Sequence, residues 1–170
     1  MTLARARMAG LGLAAAIFAV DQWVKALMIS MKLRTQGPFE ILPFFDLRWT
    51  ENYGVSLGML TANSAEMRWL LVLMTSVIAL VVLVWMLREK ALPDILALAL
   101  VLGGALGNIR DRMTQGFVID YADLHFGEFR PFLIFNIADA AITIGVVIIL
   151  ARSLFSREKP ETTPETAPES

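Results

Sequence analysis

Cysteine is absent from this 170-residue chain, and histidine occurs once, at His125. Without thiols there are no disulfides, no Cys-ligated metal, no thiol nucleophile and no cysteine to carry a lipid. One histidine excludes a His-based zinc site and argues against a Ser–His triad. Charge is scarce too: 18% of the residues are charged and 56% are hydrophobic, whereas soluble domains carry about a quarter charged. Fifteen bases and sixteen acids give net −1, and the last fourteen residues alone hold two bases and four acids. The body of the chain is therefore near neutral and has no Lys/Arg cluster, so nucleic acid is not expected as a partner. What remains is a small membrane protein.

Four stretches are apolar enough to cross a ~30 Å hydrocarbon core, which needs about 20 residues of helix. They cover about 8–29, 69–87, 93–109 and 131–151. Arg5 and Arg7 ahead of an Ala/Leu-rich run resemble a signal peptide. The run continues past Asp21 to Ile29 with no clean cleavage site, and so reads as a retained helix. With four spans both termini share a side. Arg5, Arg7, Arg88, Lys90, Arg152, Arg157 and Lys159 crowd the short segments on that side. Seven other bases are spread over the longer segments 30–68 and 110–130, so the termini are expected in the cytoplasm and those two segments outside. Rough alternation in Phe39–Thr50, and again in Phe117–Tyr121, suggests strands of a small sheet resting on the bundle. The expectation is an all-α polytopic membrane protein: four transmembrane helices with a small extracytoplasmic β-sheet. Residues 1–156 form one membrane domain and 157–170 a disordered acidic tail, Pro/Thr/Glu-rich and dispensable from Pro160 onward.

Ionisable residues are costly in a bilayer, so their placement is informative. Asp139 lies eight residues into the fourth stretch, with Asn136 and Thr143 expected on the same face. Asp120 follows Phe117, Val118 and Ile119 in a partly dry setting, while Asp123 is expected to be solvated and His125 to lie on a surface loop. Two carboxylates close together cannot both ionise cheaply. The charged member can activate water while the neutral one protonates a carbonyl, which needs no thiol, imidazole, metal or cofactor. The nineteen residues between Asp120 and Asp139 do not by themselves establish such a pair. Gly103 and Gly107 form a small-xxx-small helix face, with Asn108, Asp111 and Arg112 at the helix's outer end. Asp21 and Lys25 stand at i,i+4 and can pair. Asn52-Tyr53-Gly54 is a turn signal. A proton-coupled transporter subunit using Asp139, or an assembly protein pairing that Asp with a partner's Arg, uses the same residues. Four helices without an internal repeat are few for a transporter.

The motifs Asp21-Gln22-x-x-Lys25, Asn52-x-Gly54, Gly103-Gly104-x-x-Gly107-Asn108-x-x-Asp111-Arg112, Val118-Ile119-Asp120-Tyr121 and Phe135-Asn136-x-Ala138-Asp139 occur in that order. This arrangement resembles the bacterial lipoprotein signal peptidase (signal peptidase II) family over about Met8–Arg152. The resemblance implies an intramembrane aspartyl endopeptidase with an extracytoplasmic β-cradle and a mobile surface helix. It further implies cleavage of diacylglyceryl-modified prolipoproteins just before the lipidated cysteine, in the bacterial inner membrane. It implies Asp120 and Asp139 as the catalytic dyad. Asn52, Gly54, Asn108, Arg112 and Asn136 become substrate-binding or supporting residues, and Asp21, Lys25 and Asp111 structural polar residues. Membrane phospholipid surrounds such a protein; no metal or cofactor is expected, and a monomer suffices. Val24, Tyr53, Leu57 and Arg110 depart from the usual pattern. The loop 52–60, with Gly54 and Gly58, is expected to act as a lid over the site.

Overall fold

A computed structural model describes residues 1–54 and 65–155. The rest of the expected lid, including Leu57 and Gly58, and the tail 157–170 lie outside the described residues. The helices are α1 (Leu3–Ser30), α2 (Leu33–Gln36), α3 (Ala65–Arg88), α4 (Leu92–Thr114) and α5 (Ile137–Phe155). The strands are β1 (Phe39–Leu42), β2 (Phe45–Asn52) and β3 (Val118–Leu124). All but α2 among the helices are long and apolar enough to cross a membrane.

Their exposed faces are greasy: Leu73, Val77, Leu80 and Val81 of α3 are all more than half exposed. Such a surface belongs in lipid, where each helix satisfies its own backbone. α4 is the central element and packs against α1, α3 and α5. Glycine allows this. A Cβ on Gly103 would stand 2.5 Å from the Ala14 carbonyl oxygen on α1, and one on Gly104 would strike the Ala138 carbonyl on α5. Ala14, Met86, Ile95, Leu98 and Leu102 fill the bundle core. At the end away from the sheet, Arg152 Nε donates to Asp94 at 2.6 Å, joining the end of α5 to the start of α4.

The sheet is antiparallel, in the order β1-β2-β3. β3 is buried nearly throughout, and Ile119, Tyr121 and Ala122 pack with Met28 and Leu33, with Val24 against them. In the β2–β3 register Asn52 faces Val118 and Thr50 faces Asp120. The other edge of β3 is also occupied: Phe135 exchanges backbone hydrogen bonds with Ala122.

That last pairing corrects the expected start of the final helix. Residues 131–136 are not helical, and α5 begins at Ile137. Hydropathy cannot separate Pro131–Phe135, an apolar segment whose end pairs with β3, from the apolar helix it precedes. α1 also starts earlier than residue 8, α3 takes in residues 65–68, and α4 runs on to Thr114. Thr143 points outward and shares no polar face with Asn136 and Asp139. Asp123 is not solvated: it is buried beneath Arg130 Nε (3.0 Å) and Arg48 Nε (3.3 Å). His125 is half-buried, with Nε2 3.3 Å from Asp46.

Candidate active site

The start of α5 explains the placement of Asp139. Asn136 is the N-cap residue: its Oδ1 accepts from the Asp139 N–H at 2.9 Å, while the Asn136 N–H donates back to Asp139 Oδ2 at 3.4 Å. This reciprocal Asn-x-x-Asp arrangement is a capping box, satisfying two backbone donors that a helix start leaves open. A third, the Ala138 N–H, donates to Asp21 Oδ1 of α1 at 3.1 Å. Asp139 therefore lies in the first turn of α5, not two turns down a helix.

Asn136 also joins the two carboxylates. Its Nδ2 donates to Asp120 Oδ1 at 2.6 Å, with the Ile119 carbonyl and Asn108 Oδ1 each 3.3 Å away. Asn52, diagonal to Asp120 across β2 and β3, donates through Nδ2 to Asp120 Oδ2 at 3.1 Å. Asn108 donates to Asp139 Oδ1 at 2.8 Å. Asp120 is 2% exposed. Burial pushes its carboxyl up to about 7, and the nearby Asp139 charge adds to the rise. The hydrogen bonds from Asn52 and Asn136 and the Lys25 charge partly offset it. A carboxyl raised that far is still partly protonated near neutral pH.

Beneath lies an ionic floor. Lys25 Nζ sits 2.9 Å from Asp21 Oδ2 and 2.8 Å from Asp111 Oδ2, with all three side chains essentially inaccessible. Lys25 also donates to Asn108 Oδ1 at 3.2 Å, so the ammonium polarises the amide that holds Asp139. Asp111 accepts in turn from the Ile119 N–H at 3.2 Å, fixing β3 beside Asp120. Gly107 makes room: a Cβ there would lie 2.5 Å from Asp21 Oδ2. The expected pairing of Asp21 with Lys25 is present. Asp111 pairs with that lysine, not with Arg112.

Arg112 is buried and donates through Nη2 to the Gly54 carbonyl at 2.7 Å, its charge facing Asp139, Asp120 and Asp111. The Gly54 N–H donates to Asn52 Oδ1 at 3.1 Å, so Arg112 and Asn52 hold one turn from both sides. All ten candidate residues thus fall in one connected network. Gln22 was missed as a member. Its Nε2 donates to Asp21, Asp111 and the Gly107 carbonyl at 3.0–3.2 Å, and its Oε1 accepts from Arg110. Its position beside Asp21, facing α4, was the available signal. Tyr53 donates to Glu51 Oε2 at 2.6 Å and its ring lies against Phe117; that hydrogen bond holds the Glu51 carboxyl below its usual range. Among the described residues no cluster of three His or acidic side chains is placed to hold a metal ion.

A family model described as Signal peptidase (SPase) II matches residues 13–155. The lipoprotein signal peptidase of Rhizorhabdus wittichii is 55% identical over 150 residues, covering 88% of this chain and 87% of that protein. The corresponding protein of Sphingopyxis alaskensis is 50% identical over 151 residues, with the same coverage. Two solved structures described as bacterial membrane enzymes, determined by the in meso method, superimpose with TM-scores of 0.78 and 0.72. They are 27% and 28% identical to this chain, covering 92% and 89% of it and 94% of each of theirs. The chain is a multi-pass membrane protein that belongs to the signal peptidase II family.

Proposed function

We propose that this protein is the aspartic endopeptidase that removes signal peptides from diacylglyceryl-modified prolipoproteins, cutting just before the lipidated cysteine, with Asp120 and Asp139 as its dyad. The observation that carries the reading is the junction at Asn136, which caps the helix bearing Asp139 and hydrogen-bonds Asp120 through one side chain. Family membership supports the reaction class.

At neutral pH Asp120, pushed up to about 7, holds the shared proton. The Asp139 carboxylate takes a proton from water, the hydroxide attacks the scissile carbonyl, and Asp120 protonates the carbonyl oxygen. Collapse of the resulting gem-diol breaks the C–N bond; the amine leaves with a proton from Asp139, and Asp120 recovers its own. Asn52 and Asn108 hold the two carboxylates in orientation, and Arg112 secures the turn at Gly54 beside them. The peptide reaches the dyad from the sheet end, while the substrate's acyl chains stay in hydrocarbon. The density of bases near the helix ends supports termini in the cytoplasm and a sheet at the outer face of the bacterial inner membrane. The network closes within one chain, so a monomer suffices.

The test is cleavage of a purified lipidated prolipoprotein, with an unlipidated control, over a pH series. Asp120→Asn and Asp139→Asn should each abolish turnover in folded protein, and the wild-type rate should be bell-shaped in pH. A transporter using Asp139 alone would tolerate Asp120→Asn. Activity in that variant would sink the dyad.

A further inference from the structure

Lys25 is buried beside the dyad, yet the proposed chemistry gives it no task. An ammonium has three hydrogens to donate and nothing with which to accept. Two of them go to the floor carboxylates, Asp21 Oδ2 at 2.9 Å and Asp111 Oδ2 at 2.8 Å. The third leaves the floor and reaches Asn108 Oδ1 at 3.2 Å.

Each amide around the dyad is oriented from its oxygen side. Asn52 Oδ1 accepts the Gly54 N–H, and Asn136 Oδ1 accepts the Asp139 N–H. Those two donors belong to the backbone. For Asn108 the orienting donor is the Lys25 ammonium, with Asn136 Nδ2 at 3.3 Å beside it. Turning Asn108 over would set its NH2 against two donors, one of them charged. Its Nδ2 therefore faces Asp139 whatever charge Asp139 carries.

This orientation bears on where a proton can ride. Asp139 Oδ1 accepts from Asn108 Nδ2 at 2.8 Å, whereas Oδ2 meets the Asn136 N–H at 3.4 Å. Asp120 has the same asymmetry, 2.6 Å at Oδ1 and 3.1 Å at Oδ2. A carboxyl oxygen that carries hydrogen is the weaker acceptor, so in each acid the proton belongs on Oδ2. Were Asn108 free to turn, protonated Asp139 could donate from Oδ1 to the amide oxygen. The proton would then be held away from the leaving amine.

We propose that Lys25 is a positioning residue for hydrolysis. By fixing Asn108 as a donor to Oδ1, it confines the proton that Asp139 takes from water to Oδ2, and from there the leaving amine receives it. The proposal rests on the protease reading, with Asp139 as the base. Lys25 is inaccessible and acts through Asn108, so kcat and not KM should report it.

Lys25→Met alone strands two buried carboxylates, so the test uses Lys25→Met paired with Asp111→Asn, which keeps the floor at one net negative charge. Thermal unfolding in detergent checks that the pair folds. With a lipidated prolipoprotein, kcat should fall about tenfold to a hundredfold, the scale of a misplaced reacting group. KM should stay within about twofold, since no substrate contact is lost. In an Asn108→Ala background the pair should cause no further loss of kcat, because the amide through which Lys25 acts is gone. A pair that keeps kcat within about threefold of wild type would overturn the proposal. So would the same fold-loss with and without Asn108, the mark of a purely structural role. Asp139→Asn in the same series should be inactive while folded; cleavage by that variant would instead overturn the dyad reading, and the proposal with it.

Discussion

Replacing Asp120 with Asn should separate activity from stability in a pH-dependent way. The carboxyl of Asp120 is pushed from its ordinary 3.8 to about 7, first by burial and then by the Asp139 charge. Between those values the folded protein keeps a proton that the unfolded chain has released. Wild-type stability therefore falls as pH rises from about 4 to 7 and levels off above that. A span of about three pH units corresponds to about 4 kcal/mol. Asn cannot ionise and escapes this loss. It has a cost of its own, because Asn136 and Asn52 both donate to Asp120, one to each oxygen. An amide offers them only one oxygen, and a buried donor left unmatched costs about 1–3 kcal/mol at any pH. The variant should thus be less stable than wild type near pH 4.5 and more stable by about 1–3 kcal/mol at pH 8. Tryptophan-monitored thermal unfolding in detergent across pH 4.5–8.5 measures the difference, with cleavage lost throughout. If the two stability curves stay parallel, Asp120 does not titrate in that window and the shared-proton account is wrong.

Lys25→Met strands Asp21 and Asp111 without their cation in a buried site and should cost about 3–5 kcal/mol; Asp111→Asn added to it should recover part, and a single-variant cost under about 1 kcal/mol would count against the ionic floor. Asn136→Ala should lose about 1–2 kcal/mol of helix capping as well as turnover, whereas Asn136→Ser should regain stability but not rate, since it cannot donate to Asp120 as the amide does; steady-state kinetics beside unfolding curves tells the two apart. Gly104→Ala drives a methyl into the Ala138 carbonyl and to 2.9 Å from Ile142 Cγ1, costing about 1–3 kcal/mol and lowering turnover because Asp139 is the next residue; Gly12→Ala meets nothing within 4 Å and should behave as wild type in both assays.

The polar residues were legible because hydrocarbon makes each one conspicuous. Asp21, Lys25, Asn108 and Asp139 stand out in apolar runs, and the structure joins all four. The spans were legible in number but not in their ends, since hydropathy reports burial in lipid and not backbone conformation. Pro131–Phe135 is as apolar as the helix after it, yet Phe135 gives its N–H and C=O to Ala122. The capping box Asn136-x-x-Asp139 marked the true start and outweighs hydropathy there. Asp123 was misjudged because its partners, Arg48 and Arg130, are remote in sequence or across a turn. No local pattern announces a carboxylate that two arginines bury. Asn136 as the link between the carboxylates was equally hidden, because it depends on β3 passing beside the start of α5.

The bond from the Ala138 N–H to Asp21 spans 117 residues, from the first transmembrane helix to the last. A chain inserted from its N-terminus meets that requirement only when the final helix arrives. Until then Asp21 and Lys25 have no α5 to hold, and Asp120 has neither Asn136 nor Asp139 beside it. With Asp120 and Asp139 as the proposed dyad, hydrolytic competence is therefore expected late in assembly, once α5 has docked against α1 and α4. A chain that stops before α5 carries every earlier part of the proposed site but lacks Asp139 and its Asn136 cap.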